Sequence, residues 1–137
     1  MKFNLIIIVF MQITTHFCID EFIVSPTAIK YNISNMPSTD IINNIIYMAY
    51  ILELIRRYYA LPIRISSGYR CPELNERVGG SPSSAHMQGL AVDINNGKEE
   101  NARLYYLLLA LKSLGIPLKS VINEKDFSWI HVTFNKL

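Results

Sequence analysis

The sequence predicts an α+β domain with a small, mainly antiparallel sheet and flanking helices, and three observations support this class. Residues 40–59 and 99–114 have the apolar spacing of two long amphipathic helices. Short stretches with the pattern of strands are interleaved unevenly with these helices, as is typical of α+β domains. The 137 residues contain no internal repeat and half are hydrophobic, so one domain is long enough to bury its own core.

The first fifteen residues are expected to lie outside this domain, which spans residues 16–137. Lys2 is followed by an apolar run from Leu5 to Met11, in the order of the charged and apolar regions of a secretory signal. The run is too short to span a bilayer, which takes about 20 apolar residues, and no small-x-small cleavage site follows it. Residues 1–15 are therefore either a weak signal-like segment or an apolar N-terminal extension, such as a hydrophobic first strand.

The first predicted helices precede the sheet. A Ser-Pro pair divides residues 19–29 into a short helix, a turn and a second turn. In the long helix at 40–59, apolar residues recur every three or four positions, and Ser38 or Thr39 can cap its start. Pro62 ends this helix, which is expected to supply much of the core.

The later elements are predicted from alternation and from residues that start or stop helices. A short helix has Pro72 in its first turn and a Gly-Gly pair after it, and the second long helix stops before Gly115 and Pro117. In order, the elements are a strand at 63–66, a short helix at 71–78, a loop at 81–84, a strand at 90–94, a helix at 99–114 and final strands at 121–122 and 129–134.

Composition excludes several classes of function. Thirteen basic and eleven acidic residues give a formal charge of +2 without a basic run, which argues against nucleic acid as the main partner. The two cysteines, Cys18 and Cys71, lack the C-x-x-C spacing of zinc knuckles and redox sites. We therefore expect two free thiols.

Three residues with metal-binding side chains occur at or near predicted strands. His86 precedes the strand at 90–94, Asp93 lies near the end of that strand, and His131 lies in the last strand. A buried carboxylate is costly unless it is paired or binds a metal, so an apolar strand that ends in Asp is unusual for packing alone. Two imidazole nitrogens and one carboxylate oxygen suit zinc, and they leave the fourth tetrahedral position for water, as in catalytic sites.

A structural interpretation of these residues is favoured on spacing alone. In it, His86 caps a turn, Asp93 turns the chain before an Asn-Asn-Gly sequence, and His131 is a satisfied core residue. The motifs around these residues favour a metal site instead.

Two segments carry a specific set of motifs. The sequence contains SSGYRCPELNERVGGSPSSAHMQGLAVDI and, later, SWIHVTF. The elements Ser-x-His, Gly-x-Ala-x-Asp and Trp-x-His occur in this order, and they resemble those of the zinc D-alanyl-D-alanine carboxypeptidase family. That family includes L-alanyl-D-glutamate endopeptidases of phage lysins and vancomycin-resistance dipeptidases, and it shares its fold with the Hedgehog signalling domain. A weaker stretch, from Phe17 through the Asn35-Met36-Pro37 turn and the long helix, also resembles small, single-domain phage members, so the likeness covers residues 16–137.

The resemblance implies roles for several residues. His86, Asp93 and His131 are expected to hold zinc with both imidazoles neutral, so affinity is expected to fall at acid pH. Arg70 matches the arginine that holds the substrate carbonyl or stabilises the oxyanion, a task that suits a permanently charged planar group. Ser84 matches a position whose hydroxyl contacts the site or the substrate, although it can equally cap the loop.

Three further residues belong to the same pattern. Tyr69 and Asn75 are expected to have structural roles. Trp129, the only tryptophan, is expected to form a wall of the site or to pack beneath it.

The sequence departs from the family at the catalytic base. Several members have a Glu three residues before the last histidine, where this chain has Ser128, which cannot act as a base. A carboxylate is still needed to move a proton from water to the leaving amine. Glu124 and Asp126 are the nearest candidates, and Glu124 is preferred because it follows an apolar strand; both would be solvated if the segment is only a hairpin tip.

The favoured function is a zinc peptidase that cleaves peptidoglycan stem peptides during cell-wall lysis or remodelling, as a D-Ala-D-Ala carboxypeptidase or an L-Ala-D-Glu endopeptidase. We expect a monomer with no stable membrane span. Its expected location is the bacterial cell envelope, either periplasmic or extracellular. If the protein is of phage origin, we expect it to reach the envelope from the host cytoplasm. One alternative is a Hedgehog-like zinc-binding recognition module without hydrolytic activity. Another is a small secreted or membrane-tethered binding domain without a metal.

Overall fold

The computed structural model describes residues 11–136, and most of the apolar N-terminal run lies outside this range. Five α-helices occur in the described part: α1 Asp20–Ile23, α2 Pro26–Lys30, α3 Thr39–Tyr59, α4 Pro72–Arg77 and α5 Lys98–Ser113. A 3₁₀ helix at Ala85–Gln88 accompanies four strands: β1 Ile65–Ser67, β2 Ala91–Ile94, β3 Leu118–Glu124 and β4 Trp129–Phe134. The predicted α+β class is confirmed. None of the helices between residues 11 and 136 is long and apolar enough to cross a membrane.

The four strands form one antiparallel sheet in the order β1-β2-β4-β3. Because β4 lies between β2 and β3, it aligns residues that are far apart in the sequence. Asp93 of β2 lies opposite His131 of β4, and Glu124 of β3 lies opposite Trp129.

One face of the sheet belongs to the hydrophobic core. Val92, Ile130 and Val132 are fully buried in one cluster with apolar side chains of α3 and α5. Because successive strand residues point to opposite faces, Asp93 and His131 lie on the other face. The candidate metal ligands are thus supported by a packed sheet without interrupting its core.

Serine side chains cap the starts of α2 and α3. The Ser38 Oγ accepts a hydrogen bond from the backbone N–H of Ile41 at the start of α3. Residues 26–30 form the helix α2 where a turn was predicted, because the Ser25 Oγ accepts from the backbone N–H of Ala28 and proline occupies the first helical position.

The structure differs from the predicted elements in two other places. The 3₁₀ helix was not predicted, since a single turn is too short to show periodicity. The strand predicted at 121–122 is β3, which already begins at Leu118. A register shift between Leu118 and Ser120 breaks the alternation in that strand and hides its first half from pattern analysis. Boundaries of the other predicted strands and long helices lie within two residues of those observed.

Candidate active site

Asp93, His86 and His131 form a cluster on the sheet face opposite the core. One potential ligand atom from each residue lies within 4.8 Å of the other two. Asp93 Oδ1 is 2.9 Å from His131 Nδ1 and 3.3 Å from His86 Nε2. The two imidazole rings have centroids 5.1 Å apart. The three residues that the sequence motifs single out therefore meet at a single carboxylate oxygen.

Two local features bring His86 to the strands. Its backbone N–H donates to Ser84 Oγ over 3.2 Å, which caps the 3₁₀ helix. Gly89 ends that helix with a φ of +68°, and a Cβ there would lie 2.9 Å from a methyl group of Ile41. Glycine therefore allows the sharp turn from His86 into β2 against the start of α3.

Each imidazole has a partner on the ring nitrogen that points away from the cluster. The His86 Nδ1–H donates to the backbone carbonyl of Gly68 over 2.7 Å, which leaves Nε2 towards Asp93. His131 Nε2 lies 3.1 Å from Thr133 Oγ1, and its Nδ1 faces Asp93. Metal-binding histidines in proteins are oriented in this way by a second hydrogen bond. The contacts with Gly68 and Thr133 thus determine which nitrogen of each ring faces the cluster and is available to a metal ion.

The charge of Asp93 is maintained although the side chain is buried. Burial by itself would raise the pKa of this carboxyl, but hydrogen bonds and electrostatic attraction from His131 and His86 outweigh it and hold the pKa far below its usual range. Asp93 is therefore ionised at neutral pH and available as a ligand.

Arg70 binds the second oxygen of the same carboxylate. Its Nη2 donates to Asp93 Oδ2 over 3.2 Å and its Nε donates to Ser67 Oγ over 3.1 Å. Burial lowers the pKa of Arg70, while the negative charge of Asp93 acts in the opposite direction. A guanidinium group has five N–H donors, and these two bonds leave the Nη1 group free for another acceptor.

Asn35 holds the chain on both sides of Arg70. Its Nδ2 donates to the carbonyls of Tyr69 and Ile23 over 3.0 and 2.8 Å, and its Oδ1 accepts from the backbone N–H of Cys71 over 2.7 Å. Asn35 is buried, so these bonds replace its contacts with water. The sequence indicates only a turn at Asn35 and not the role of its side chain, since its partners are distant backbone groups that leave no local signal.

The cluster opens into a groove of about 580 Å³. Its lining includes Arg70, His86 and His131 together with Ser84, Glu124 and Trp129. The other lining residues are Gly80, Ser81, Ser83, Ala85, Lys119, Ser120 and Thr133. His86 and Asp93 are buried while His131 is half-buried, so the cluster is accessible from the side that faces the groove.

The two candidate bases lie in different environments. Glu124 is half-buried and lines the groove on the same face of β3–β4 as His131. Asp126 is at the exposed hairpin tip, where its carboxylate accepts from Lys98 Nζ over 2.7 Å, and it is not among the groove residues. The geometry brings Glu124 and not Asp126 together with the cluster.

The remaining residues singled out in the sequence have distinct positions. Ser84 both caps the 3₁₀ helix and lines the groove, and Trp129 forms part of the groove wall. Tyr69 is buried in the core, and the Asn75 side chain donates to the backbone carbonyl of Ser81 over 2.8 Å. Tyr69 and Asn75 therefore have structural contacts.

Both cysteines are free thiols. The Cys18 thiol is hydrogen-bonded to Asp20 and Glu21. Burial, followed by these two acidic partners, raises its pKa to about 12.

The donor set fits a zinc ion. Two imidazole nitrogens and one ionised carboxylate oxygen converge, each imidazole is oriented by a second hydrogen bond, and one side is open. Among the described residues, this is the one group of three or more His, Cys, Asp and Glu side chains with such geometry.

Comparison with family models matches residues 15–133 to Peptidase M15, a family of zinc-dependent peptidases. Comparison with curated proteins gives no match. The matched region contains the His-Asp-His cluster, Arg70 and Glu124. Since the match covers most of the chain, the protein belongs to the Peptidase M15 family of metallopeptidases.

Proposed function

We propose that the protein is a zinc-dependent hydrolase of peptide bonds in the stem of bacterial peptidoglycan. The observation that carries this proposal is that Glu124 and Arg70 line the same groove as His86 and His131. A nucleophile-activating carboxylate, an oxyanion-stabilising cation and a metal-ligating cluster are the components that peptide hydrolysis requires.

The roles in catalysis follow from the positions of the side chains. Zinc, when held by the cluster, supplies Lewis-acid chemistry that polarises a peptide carbonyl and makes water more acidic. Glu124 takes the proton from the attacking water and passes it to the leaving amine. The free Nη1 group of Arg70 donates to the carbonyl oxygen as negative charge develops on it.

The charge pattern of the site supports this division of roles. Asp93 contacts both imidazoles through Oδ1 and pairs with Arg70 through Oδ2, so its carboxylate is engaged in the cluster and is not a candidate base. Glu124 forms no ion pair among residues 11–136, which leaves its carboxylate free to exchange a proton.

The groove suits an extended peptide. One side is formed by β3 and β4, and the other by the serine-rich segment 81–84, whose hydroxyl groups can bond to a peptide backbone. Either the D-Ala-D-Ala or the L-Ala-D-Glu bond fits this description. The site of action would be the bacterial cell envelope, reached during phage lysis or during wall remodelling.

A recognition module without hydrolytic activity is the second candidate. It is favoured by Ser128, which stands where several family members have a glutamate. The position of Glu124 in the groove favours hydrolysis instead, because a carboxylate on the same sheet face as His131 replaces the missing base.

Digestion of purified peptidoglycan tests the proposal. Zinc-loaded protein is expected to release new amino groups, chelator is expected to abolish the release, and added zinc should restore it. The masses of the products distinguish loss of a terminal D-alanine from cleavage after L-alanine. Binding of one equivalent of zinc without any release of amino groups would support the recognition module instead.

A further inference from the structure

A β-bulge in β3 determines which side chains face the groove. Leu118 lies opposite Phe134 and Ser120 lies opposite Thr133, so two steps along β3 match one step along β4. Lys119 is the extra residue, and Lys119 and Ser120 together stand opposite Thr133.

The bulge places two consecutive side chains on one face. Leu118 is buried in the core, and by alternation Lys119 points to the opposite face. Ser120 shares the face of Thr133 because the two are paired. Both Lys119 and Ser120 accordingly line the groove.

The same shift also positions Glu124. From Ser120 onwards the pairing is regular, so Ile122 and Glu124 share the face of their partners His131 and Trp129. If all residues were kept and the pairing were regular, with Lys119 opposite Thr133, every side chain from 120 to 124 would point to the other face and Glu124 would leave the groove. The bulge therefore puts Glu124 on the same face as Lys119.

Lys119 is an available cation in this groove. No acidic side chain in the described part of the chain forms an ion pair with it. The guanidinium of Arg70, by contrast, is already paired with Asp93. Lys119 is exposed at the groove wall, where a ligand can reach its ammonium group.

The scissile bond would lie at the His-Asp-His cluster, so the distance of Lys119 from the cluster is also its distance from that bond. Lys119 stands with Ser120 opposite Thr133, and Thr133 is two positions from His131 along β4, which corresponds to about 7 Å along the strand. The four-carbon stem of lysine covers part of this distance. An extended peptide in the groove would therefore bring a group within about two residues of the scissile bond to the ammonium group.

We propose that Lys119 is a specificity residue that binds a free carboxylate of the peptide substrate within two residues of the scissile bond. This proposal rests on the proposed function and narrows its substrate class to acidic peptides. Both candidate bonds have a free carboxylate at this distance. In a D-Ala-D-Ala substrate it is the C-terminal carboxylate, and in an L-Ala-D-Glu substrate it is the carboxylate that D-glutamate retains beside its peptide bond.

The test compares a synthetic stem pentapeptide that has free carboxylates with the same peptide fully amidated. Binding to the full chain is measured by calorimetry with chelator present, so that the peptides stay intact. The wild-type protein is expected to bind the acid about tenfold more tightly than the amide, since a hydrogen bond to a charged group is worth roughly that factor. Lys119→Met should remove this preference and leave affinity for the amide unchanged, while Lys119→Arg should retain most of it.

Lys112→Met is the matched control, because Lys112 is exposed on α5 and does not line the groove. The same preference should appear in turnover by the zinc-loaded protein, as a change in KM with little change in kcat. Equal binding of acid and amide by the wild type, or a preference that persists in Lys119→Met, would overturn the proposal. If zinc-loaded wild type hydrolyses neither peptide, the proposed function fails, and the binding comparison still decides the role of Lys119.

Discussion

Asp93 and His131 lie directly opposite each other on adjacent antiparallel strands, and Asp93 Oδ1 is 2.9 Å from His131 Nδ1 although 38 positions separate them in the sequence. The pairing of β2 with β4 therefore assembles two thirds of the metal-ligating cluster. A shift of the pairing register by one residue would turn the shifted strand's side chain to the core face. The hydrophobic pattern that fixes this register therefore also fixes the positions of Asp93 and His131.

Asp93→Asn is expected to abolish stoichiometric zinc binding. An amide oxygen carries no charge to offset that of zinc. Loss of a residue that only hydrogen-bonds to a metal ligand lowers metal affinity roughly 10- to 100-fold, so loss of a ligand charge should lower the zinc affinity by more than this. Wild-type protein should bind one equivalent and gain thermal stability with added zinc, because a ligand that binds only the folded state stabilises it. Metal analysis after dialysis and thermal unfolding check both expectations. An undiminished zinc-dependent stabilisation in Asp93→Asn would contradict the assignment.

Thr133→Val is expected to weaken zinc binding by about 10- to 100-fold while the fold is retained. The hydroxyl is 3.1 Å from His131 Nε2, and its removal frees the ring to turn or to change tautomer. Thr133→Ser keeps the hydroxyl and should restore most of the affinity. Competition titration against a zinc indicator measures the difference. Equal affinities for the valine and serine variants would show that the hydroxyl does not orient the ring.

Glu124→Gln is expected to lower kcat by about 10²- to 10⁴-fold, with zinc binding and KM nearly unchanged. The amide keeps the size of the side chain and loses the ability to take up a proton. Asp126→Asn is the control, since Asp126 is an exposed carboxylate paired with Lys98 outside the groove, and its loss should leave kcat within about twofold. Steady-state kinetics on a stem peptide separate the two. A large loss in Asp126→Asn with normal rates in Glu124→Gln would reverse the assignment.

Cys18 is expected to react slowly with iodoacetamide because the thiolate is the reactive form and its pKa is raised to about 12. In a Cys71→Ser background at pH 9, labelling of the folded chain should be at least about 100-fold slower than in denaturant. Since the folded pKa lies above the unfolded value of 9.0, the associated stability is complete below pH 9 and is lost as the pH rises towards 12. Asp20→Asn should accelerate labelling by removing one acidic partner, and an unchanged rate would contradict this explanation.

The elements that could be predicted from the sequence are those with long or well-marked patterns. The spacing of apolar residues predicted α3 and α5, and of the two predicted caps of α3, Ser38 and Thr39, the structure has Ser38. The three cluster residues were singled out by motifs that resemble those of a known zinc peptidase family, whereas their spacing alone favoured a structural interpretation.

The supporting contacts could not be predicted in the same way. Asn35 and Gly68 act through backbone carbonyls and amides that are distant in the sequence. The bulge at Lys119 breaks the alternation from which strands are recognised, so the first half of β3 and the face of Glu124 became evident only from the strand pairing. Such features depend on tertiary contacts that leave no local periodicity.

Gly68→Ala is expected to damage both the fold and the metal site. A Cβ at this position would lie 2.5 Å from the carbonyl oxygen and 2.7 Å from the Cα of Phe22, and backbone atoms cannot move aside cheaply. We expect the free energy of unfolding to fall by about 1–3 kcal/mol, as for other overpacked sites. Because the Gly68 carbonyl accepts the His86 Nδ1–H, displacement of this segment should also reduce zinc affinity.

Gly115→Ala separates these two effects. Gly115 has a φ of +104°, and a Cβ at this position would have no atom within 4 Å beyond its own residue and its two chain neighbours, so the substitution strains the backbone without touching the site. Both variants should unfold at lower urea concentration, but only Gly68→Ala should bind zinc more weakly in a competition titration. Normal zinc affinity in a destabilised Gly68→Ala protein would show that the carbonyl of residue 68 does not orient His86.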